Sequence, residues 1–161
     1  MFYAIISFFG LLIGLILINK FRSELNDIKK FLKFVAFILI ISIILRLFMF
    51  INFSYLFLLG MIIGGIVNYF LKNNYLYFGN ILILTNFMNN INKIFFSILI
   101  FIIGLIYPVL NKINNKIFLI SLSLFALPFI LLLTNFNLSY NNFLLGFSIG
   151  GLAVGFKQDN K

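Results

Sequence analysis

Seven apolar runs follow one another along the chain: Phe2–Ile18, Phe34–Ile51, Tyr55–Leu71, Tyr75–Met88, Ile94–Leu110, Ile117–Thr134 and Ser139–Phe156. A helix that crosses a bilayer needs about 20 mostly apolar residues, with a working range of about 17–25. Most of the runs reach or approach that length. The breaks between them are short and polar: Asn52–Ser54, Asn73–Asn74, Asn89–Lys93, Asn111–Lys116 and Asn135–Leu138. Short connections force neighbouring helices to run antiparallel. The longer break, Asn19–Lys33, holds Lys20, Arg22, Lys29, Lys30 and Lys33 together with Glu24 and Asp27. The pattern predicts an all-α, polytopic transmembrane helical bundle, residues 1–161 forming a single membrane domain.

The fourth run is the short one. Tyr75–Met88 has 14 residues and contains Asn80 and Asn86. As a helix it would reach only about 21 Å at about 1.5 Å per residue. Charge argues that it crosses. Cytoplasmic loops collect Lys and Arg. With seven crossings and the amino terminus outside, the inner side receives Lys20, Arg22, Lys29, Lys30, Lys33, Lys72, Lys112, Lys116, Lys157 and Lys161, and the outer side only Lys93. With six crossings the later residues change sides, leaving seven inside and four outside. The first arrangement fits the rule better, so seven spans, N-out and C-in, are expected in the cytoplasmic membrane. The amino-terminal run lacks the leading positive region of a cleaved signal, since Lys20 and Arg22 follow it, and it reads as a retained span.

Two stretches repeat each other. Leu58-Leu59-Gly60-Met61-Ile62-Ile63-Gly64-Gly65 is echoed by Leu144-Leu145-Gly146-Phe147-Ser148-Ile149-Gly150-Gly151. Each follows a Ser-Tyr pair, Ser54-Tyr55 and Ser139-Tyr140, and precedes a lysine, Lys72 and Lys157. A weaker echo links Ile13-Gly14-Leu15-Ile16 to Ile103-Gly104-Leu105-Ile106. Spans one to three thus match spans five to seven. Residues 1–72 form a first three-helix repeat, 73–93 a linker span and 94–161 a second three-helix repeat. An odd linker leaves the repeats parallel, related by an axis along the membrane normal. This plan resembles that of the SWEET and PQ-loop transporters in architecture. The Pro-Gln signature of those families is missing, because Pro108 is followed by Val109 and span one holds no proline. No functional residue is carried over from them.

Composition narrows the chemistry. The chain is 63% hydrophobic and only 9% charged, whereas a soluble domain is about a quarter charged. Its net charge of +9 is scattered between apolar runs, with no basic face bearing stacking aromatics, which argues against nucleic acid. There is no cysteine and no histidine, and the acids are Glu24, Asp27 and Asp159. No catalytic acid pair, Ser–His pair or metal cluster can be assembled from these, so neither an enzyme nor a cofactor is expected. The expected partners are the lipid bilayer and a second copy of the chain or another membrane protein.

Candidate residues divide into packing and pathway groups. Gly10, Gly14, Gly60, Gly64, Gly146, Gly150, Gly151 and Gly155 form GxxxG pairs, which let helix backbones approach closely in lipid. The pairs Gly64-Gly65 and Gly150-Gly151 have an alternative reading, loosening their helices so that carbonyls line a site. Arg46 is the one charge inside a run: it either snorkels to the outer headgroups or faces the interior and offers its donors to a solute. Asn68 could line a polar path, and Pro128 could kink or hinge span six. The expected function is a passive facilitator or simple carrier of a small solute, formed between the two repeats, with Arg46 or Asn68 on the wall of a cavity at mid-membrane. The alternative is an accessory, assembly or lipid-interacting subunit without transport. Single cysteines placed at Asn90 and Asn114 should react with an impermeant thiol reagent from opposite sides of the membrane. Reaction from the same side would mean that the fifth run, which lies between them, does not cross.

Overall fold

The computed structural model describes residues 2–21, 24, 27–111, 115–133 and 141–158. The Ser139-Tyr140 pair, Arg22, residues 112–114 and 134–138, Asp159 and Lys161 lie outside the described residues. The described chain is all-helical, with no strands: α1 (Phe2–Lys20), α2 (Lys29–Phe48), α3 (Tyr55–Leu71), α4 (Tyr75–Leu84), α5 (Asn90–Asn111), α6 (Asn115–Ala126) and α7 (Asn141–Gln158). α4 tightens into a 3-10 turn over Thr85–Phe87, and α6 into one over Leu127–Leu133. Two of these helices, Lys29–Phe48 and Asn90–Leu110, are long and apolar enough to cross a membrane. Ile5–Leu17, Tyr55–Leu71, Ile117–Ile130 and Asn141–Gly155 are shorter apolar helices.

Two helix starts differ from the apolar runs by four residues or more. α2 begins five residues before Phe34, taking Lys29, Lys30 and Lys33 into its first turns, and ends at Phe48. α5 begins four residues before Ile94 and absorbs Asn90, Asn92 and Lys93. A hydropathy run marks what a helix buries in an apolar medium, not where its backbone pairing stops. Lysine is a good helix former, and either residue type is tolerated in an exposed first turn. The shift places Arg46 in the last turn of α2.

The tightest contact joins α3 to α7. All eleven glycines of the chain lie in helices and none has positive φ, so their role is to admit a close neighbour. A Cβ on Gly60 would lie 2.2 Å from the Phe143 carbonyl oxygen, and one on Gly146 2.1 Å from that of Phe57. A Cβ on Gly64 would meet the Phe147 oxygen at 2.1 Å, and one on Gly150 the Met61 oxygen at 2.1 Å. The contacts are reciprocal. Phe57 and Phe143, Gly60 and Gly146, Met61 and Phe147, and Gly64 and Gly150 hold matching places in the two Leu-Leu-Gly motifs. Contact positions advance together along both helices, so α3 and α7 run parallel. α1 and α5 also pair in parallel. Gly10 abuts Phe101, Gly14 abuts Gly104 and Leu105, and Ser7 donates to the Ser97 carbonyl.

α4 fills the space these pairs leave, and all ten of its residues are buried. Tyr77 lies against Gly151, and Asn80 bonds to Leu144 and Ser148, so α4 runs antiparallel to α7. It runs parallel to α6: Asn73 bonds to Ser121, and Gly79 abuts the Phe125 carbonyl. Phe8 of α1 reaches the rings of Phe118 and Phe125 on α6. α2 leans on α5 and α7 from outside. Direction thus alternates from helix to helix. The amino ends of α1, α3, α5 and α7 share one end of the bundle with Arg46, and their carboxyl ends share the other with Asn68.

Polarity is inverted relative to a water-soluble bundle. Ser7, Asn68, Asn73, Asn74, Asn80, Thr85, Asn92, Ser97, Ser121 and Ser148 are buried. The outer faces carry exposed rows such as Phe31, Phe34, Ile38 and Leu45 on α2 and Leu58, Ile62, Ile66 and Phe70 on α3. Gly60→Ala and Gly146→Ala would each push a methyl into a backbone carbonyl, which cannot rotate away. Each should cost about 1–3 kcal/mol by overpacking, read as a lower thermal midpoint of the purified protein by circular dichroism. Gly65→Ala meets the Val154 side chain at 3.2 Å and the Gly150 carbonyl oxygen at an ordinary 3.7 Å, and should lower the midpoint far less.

Candidate functional site

At one end of the bundle the turn from α3 into α4 gathers three amides. α3 closes on Lys72, whose left-handed backbone (φ 51) directs its N–H to the Asn68 carbonyl at 2.8 Å. The chain then turns through Asn73 and Asn74. Asn73 Oδ1 accepts the Tyr75 N–H at 3.0 Å, a local side-chain turn of the kind Asn favours. Asn68 Oδ1 accepts the Asn73 N–H at 3.2 Å. Asn68 Nδ2 donates to Asn74 Oδ1 at 2.8 Å and to the Gly151 carbonyl. Asn73 Nδ2 donates to Ser121 Oγ at 3.0 Å. One knot therefore ties α3, α4, α6 and α7. Gly155 makes room for it, since a Cβ there would overlap the amides of Asn74 and Asn68.

The same face of α4 continues the polar row. Tyr77 Oη donates to the Gly64 carbonyl at 2.9 Å, with its ring on Gly151. Asn80 Nδ2 donates to the Leu144 carbonyl at 3.0 Å and to Ser148 Oγ at 2.7 Å, and Ser148 in turn donates to Leu144 at 2.9 Å. The glycine pairs do not break their helices. α3 runs unbroken over Tyr55–Leu71 and α7 over Asn141–Gln158. The Gly64 and Gly151 carbonyls nonetheless accept side-chain donors, Tyr77 Oη–H and Asn68 Nδ2–H. Gly10 and Gly14 face α5, and Gly65 meets little more than Val154.

Arg46 lies at the other end. Its Nε and Nη2 donate to Asn92 Oδ1 at 3.1 and 2.8 Å, and Nη1 to Met49 Sδ at 3.4 Å. Its guanidinium stands 5.9 Å from the centroid of the Phe95 ring. The Arg46–Asn92 pair was hidden from sequence reasoning because Asn92 falls in a break between apolar runs. It becomes visible only when α5 is extended back to Asn90. Pro128 is buried within the 3-10 stretch that ends α6, closer to the Arg46 end than Ser121 is. The structure thus does not bring Arg46, Asn68 and Pro128 together.

A cavity of about 320 Å³ opens at the Arg46 end, where Asn52, Asn141 and Asn142 form a polar rim over Phe87, Met88 and Leu145. The buried Asn141 Oδ1 has no hydrogen-bond partner. Arg46 and Asn68 do not line this cavity. Their surroundings differ from the expected wall of a hydrated path: Arg46 rests on Asn92, and Asn68 is 0% exposed with both ends of its amide bonded. Among the described residues, no group of three or more His, Cys, Asp or Glu gathers to hold a metal. No family model matches the chain, and neither does any curated protein or any solved structure.

Asn68→Ala would leave the Asn73 N–H and Asn74 Oδ1 without their partner in a water-poor site. An unsatisfied buried group costs about 1–3 kcal/mol. The substitution should lower the thermal midpoint more than Tyr77→Phe, which removes a single hydrogen bond worth about 1 kcal/mol. Equal effects would show that the amide knot adds nothing beyond one bond.

Proposed function

We propose that the chain is a seven-span integral protein of the cytoplasmic membrane, N-out and C-in, that serves as an accessory or lipid-interacting subunit. The observation that carries this reading is the inverted polarity: amides and hydroxyls inside, large apolar side chains outside on successive helices. In water such a surface would be a large adhesive patch. In a bilayer it is the surface lipid covers, while each buried polar group must find its partner within the protein. The alternating helix directions support seven crossings, and the parallel pairing of α1 with α5 and of α3 with α7 supports two like-oriented triplets, 1–72 and 94–161. The central position of α4 supports its crossing in spite of its length, with local thinning of the bilayer taking up the mismatch.

A packed, non-transporting role fits the middle of the bundle better than a carrier does. α4 is wholly buried, and the polar side chains a path would need (Asn68, Asn80, Ser121) are bonded to other protein groups. A non-catalytic role fits a chain without His or Cys whose acids lie outside the apolar runs. The carrier reading has one observation in its favour, the asparagine-rimmed cavity at the Arg46 end, which would serve as the outer vestibule of a small-solute path. The protein should stay with the membrane pellet through alkaline carbonate extraction. Liposomes containing it should swell in isosmotic glycerol or urea no faster than empty ones, and Arg46→Ala should leave that rate unchanged. Swelling above the empty-liposome rate that falls with Arg46→Ala would favour the carrier, and release by carbonate would remove the membrane reading.

A further inference from the structure

Arg46 is a half-buried cation that meets no carboxylate among the described residues. The chain's three acids are Glu24, Asp27 and Asp159. Glu24 and Asp27 precede α2, whose 20 residues separate them from the Arg46 turn by roughly 30 Å. Asp159 lies outside the described residues. The partner Arg46 does have, Asn92 Oδ1, is an amide oxygen. It orients the guanidinium through two N–H groups and leaves its charge uncompensated.

The geometry is that of a receptor for an anion. A guanidinium has five N–H donors. Three are directed to Asn92 and Met49, so one on each terminal nitrogen remains, and Nη1 lies at the exposed edge of the group. Asn92 belongs to the first turn of α5, a 22-residue helix whose positive dipole end favours negative charge, the Asn92 and Lys93 N–H groups themselves being bonded to the Asn89 carbonyl. Lys93, next in the chain and half-buried, adds a second cation to that turn. The Phe95 ring flanks the guanidinium, its centroid 5.9 Å away. We propose that Arg46, positioned by Asn92, binds a phosphate group, and that in the membrane this is the phosphodiester of a phospholipid headgroup at the Arg46 end. The guanidinium fork matches two phosphate oxygens. The lipid as source rests on the membrane reading above; the phosphate chemistry does not.

The test is thermal unfolding of the full chain purified in a sugar-based nonionic detergent. Three probes are titrated: dioleoyl phosphatidylglycerol, digalactosyl diacylglycerol (a diacyl lipid without phosphate) and inorganic phosphate. Phosphatidylglycerol should raise the midpoint saturably, and the galactolipid should not. Arg46→Gln should abolish the shift. Asn92→Ala, which removes the positioning group, should weaken the apparent affinity about ten-fold while sparing the saturated shift. Should Arg46→Gln fail to fold, Arg46→Lys decides: it keeps the charge without the fork, and wild-type affinity there would overturn the proposal. Equal shifts from both lipids, a full shift in Arg46→Gln, or no shift with any probe would also overturn it. A full shift from inorganic phosphate alone keeps the site and assigns it to a free anion. If the chain proves soluble without detergent, the membrane reading fails while the phosphate titration still tests the site.

Discussion

The backbones of α3 and α7 approach so closely that no side chain fits between them along one turn after another, and the remaining helices are arranged around that contact. Glycine is the residue that permits it. Gly60, Gly64, Gly146 and Gly150 each present bare Cα to a carbonyl of the other helix. On the proposed membrane reading, burial gives little reason for helices to associate, and close van der Waals contact takes over. The reciprocal pattern, Gly60 on Phe143 and Gly146 on Phe57, gives the pair a local two-fold character.

What that contact leaves open, α4 occupies. A short helix buried on every side needs its polar groups answered from its neighbours, because an unmatched amide in such surroundings is costly. Asn73, Asn74, Tyr77 and Asn80 meet this demand by turning one polar face toward α3, α6 and α7. Tyr77 reaches the carbonyl that Gly64 uncovers, Asn74 sits in a pocket that Gly155 keeps free, and Asn68 of α3 bonds the Gly151 carbonyl beside it. The two devices therefore depend on each other. Small residues bring the backbones near, and the same smallness lets asparagine and tyrosine bond to them.

Much of this arrangement is legible in the residue pattern. The third run coincides with α3 at both ends, because Ser54 caps its start and the turn at Lys72 stops it. The Leu-Leu-Gly echo identifies the two helices that touch, though nothing in it says that they touch each other. Three features escape the pattern for identifiable reasons. The starts of α2 and α5 lie among lysines and asparagines that hydropathy assigns to loops, although helix propensity does not exclude them. The Arg46–Asn92 pair depends on that extension and on a register between distant helices. The fourth run, short and amide-bearing, reads as a spacer; its place at the centre follows from hydrogen bonds that span up to 68 positions of the chain, as between Asn80 and Ser148.

The two glycine-lined pairings are interleaved, the first helix with the fifth and the third with the seventh. Neither set of three consecutive helices contains a complete pair. During synthesis α3 must wait, with its bare glycine surface unmatched, until the last helix emerges, and α1 must wait for the fifth. Loop closure over such separations makes the final docking step a late one. Neither glycine-lined pair can therefore close until the chain has grown through the helices that separate its two members.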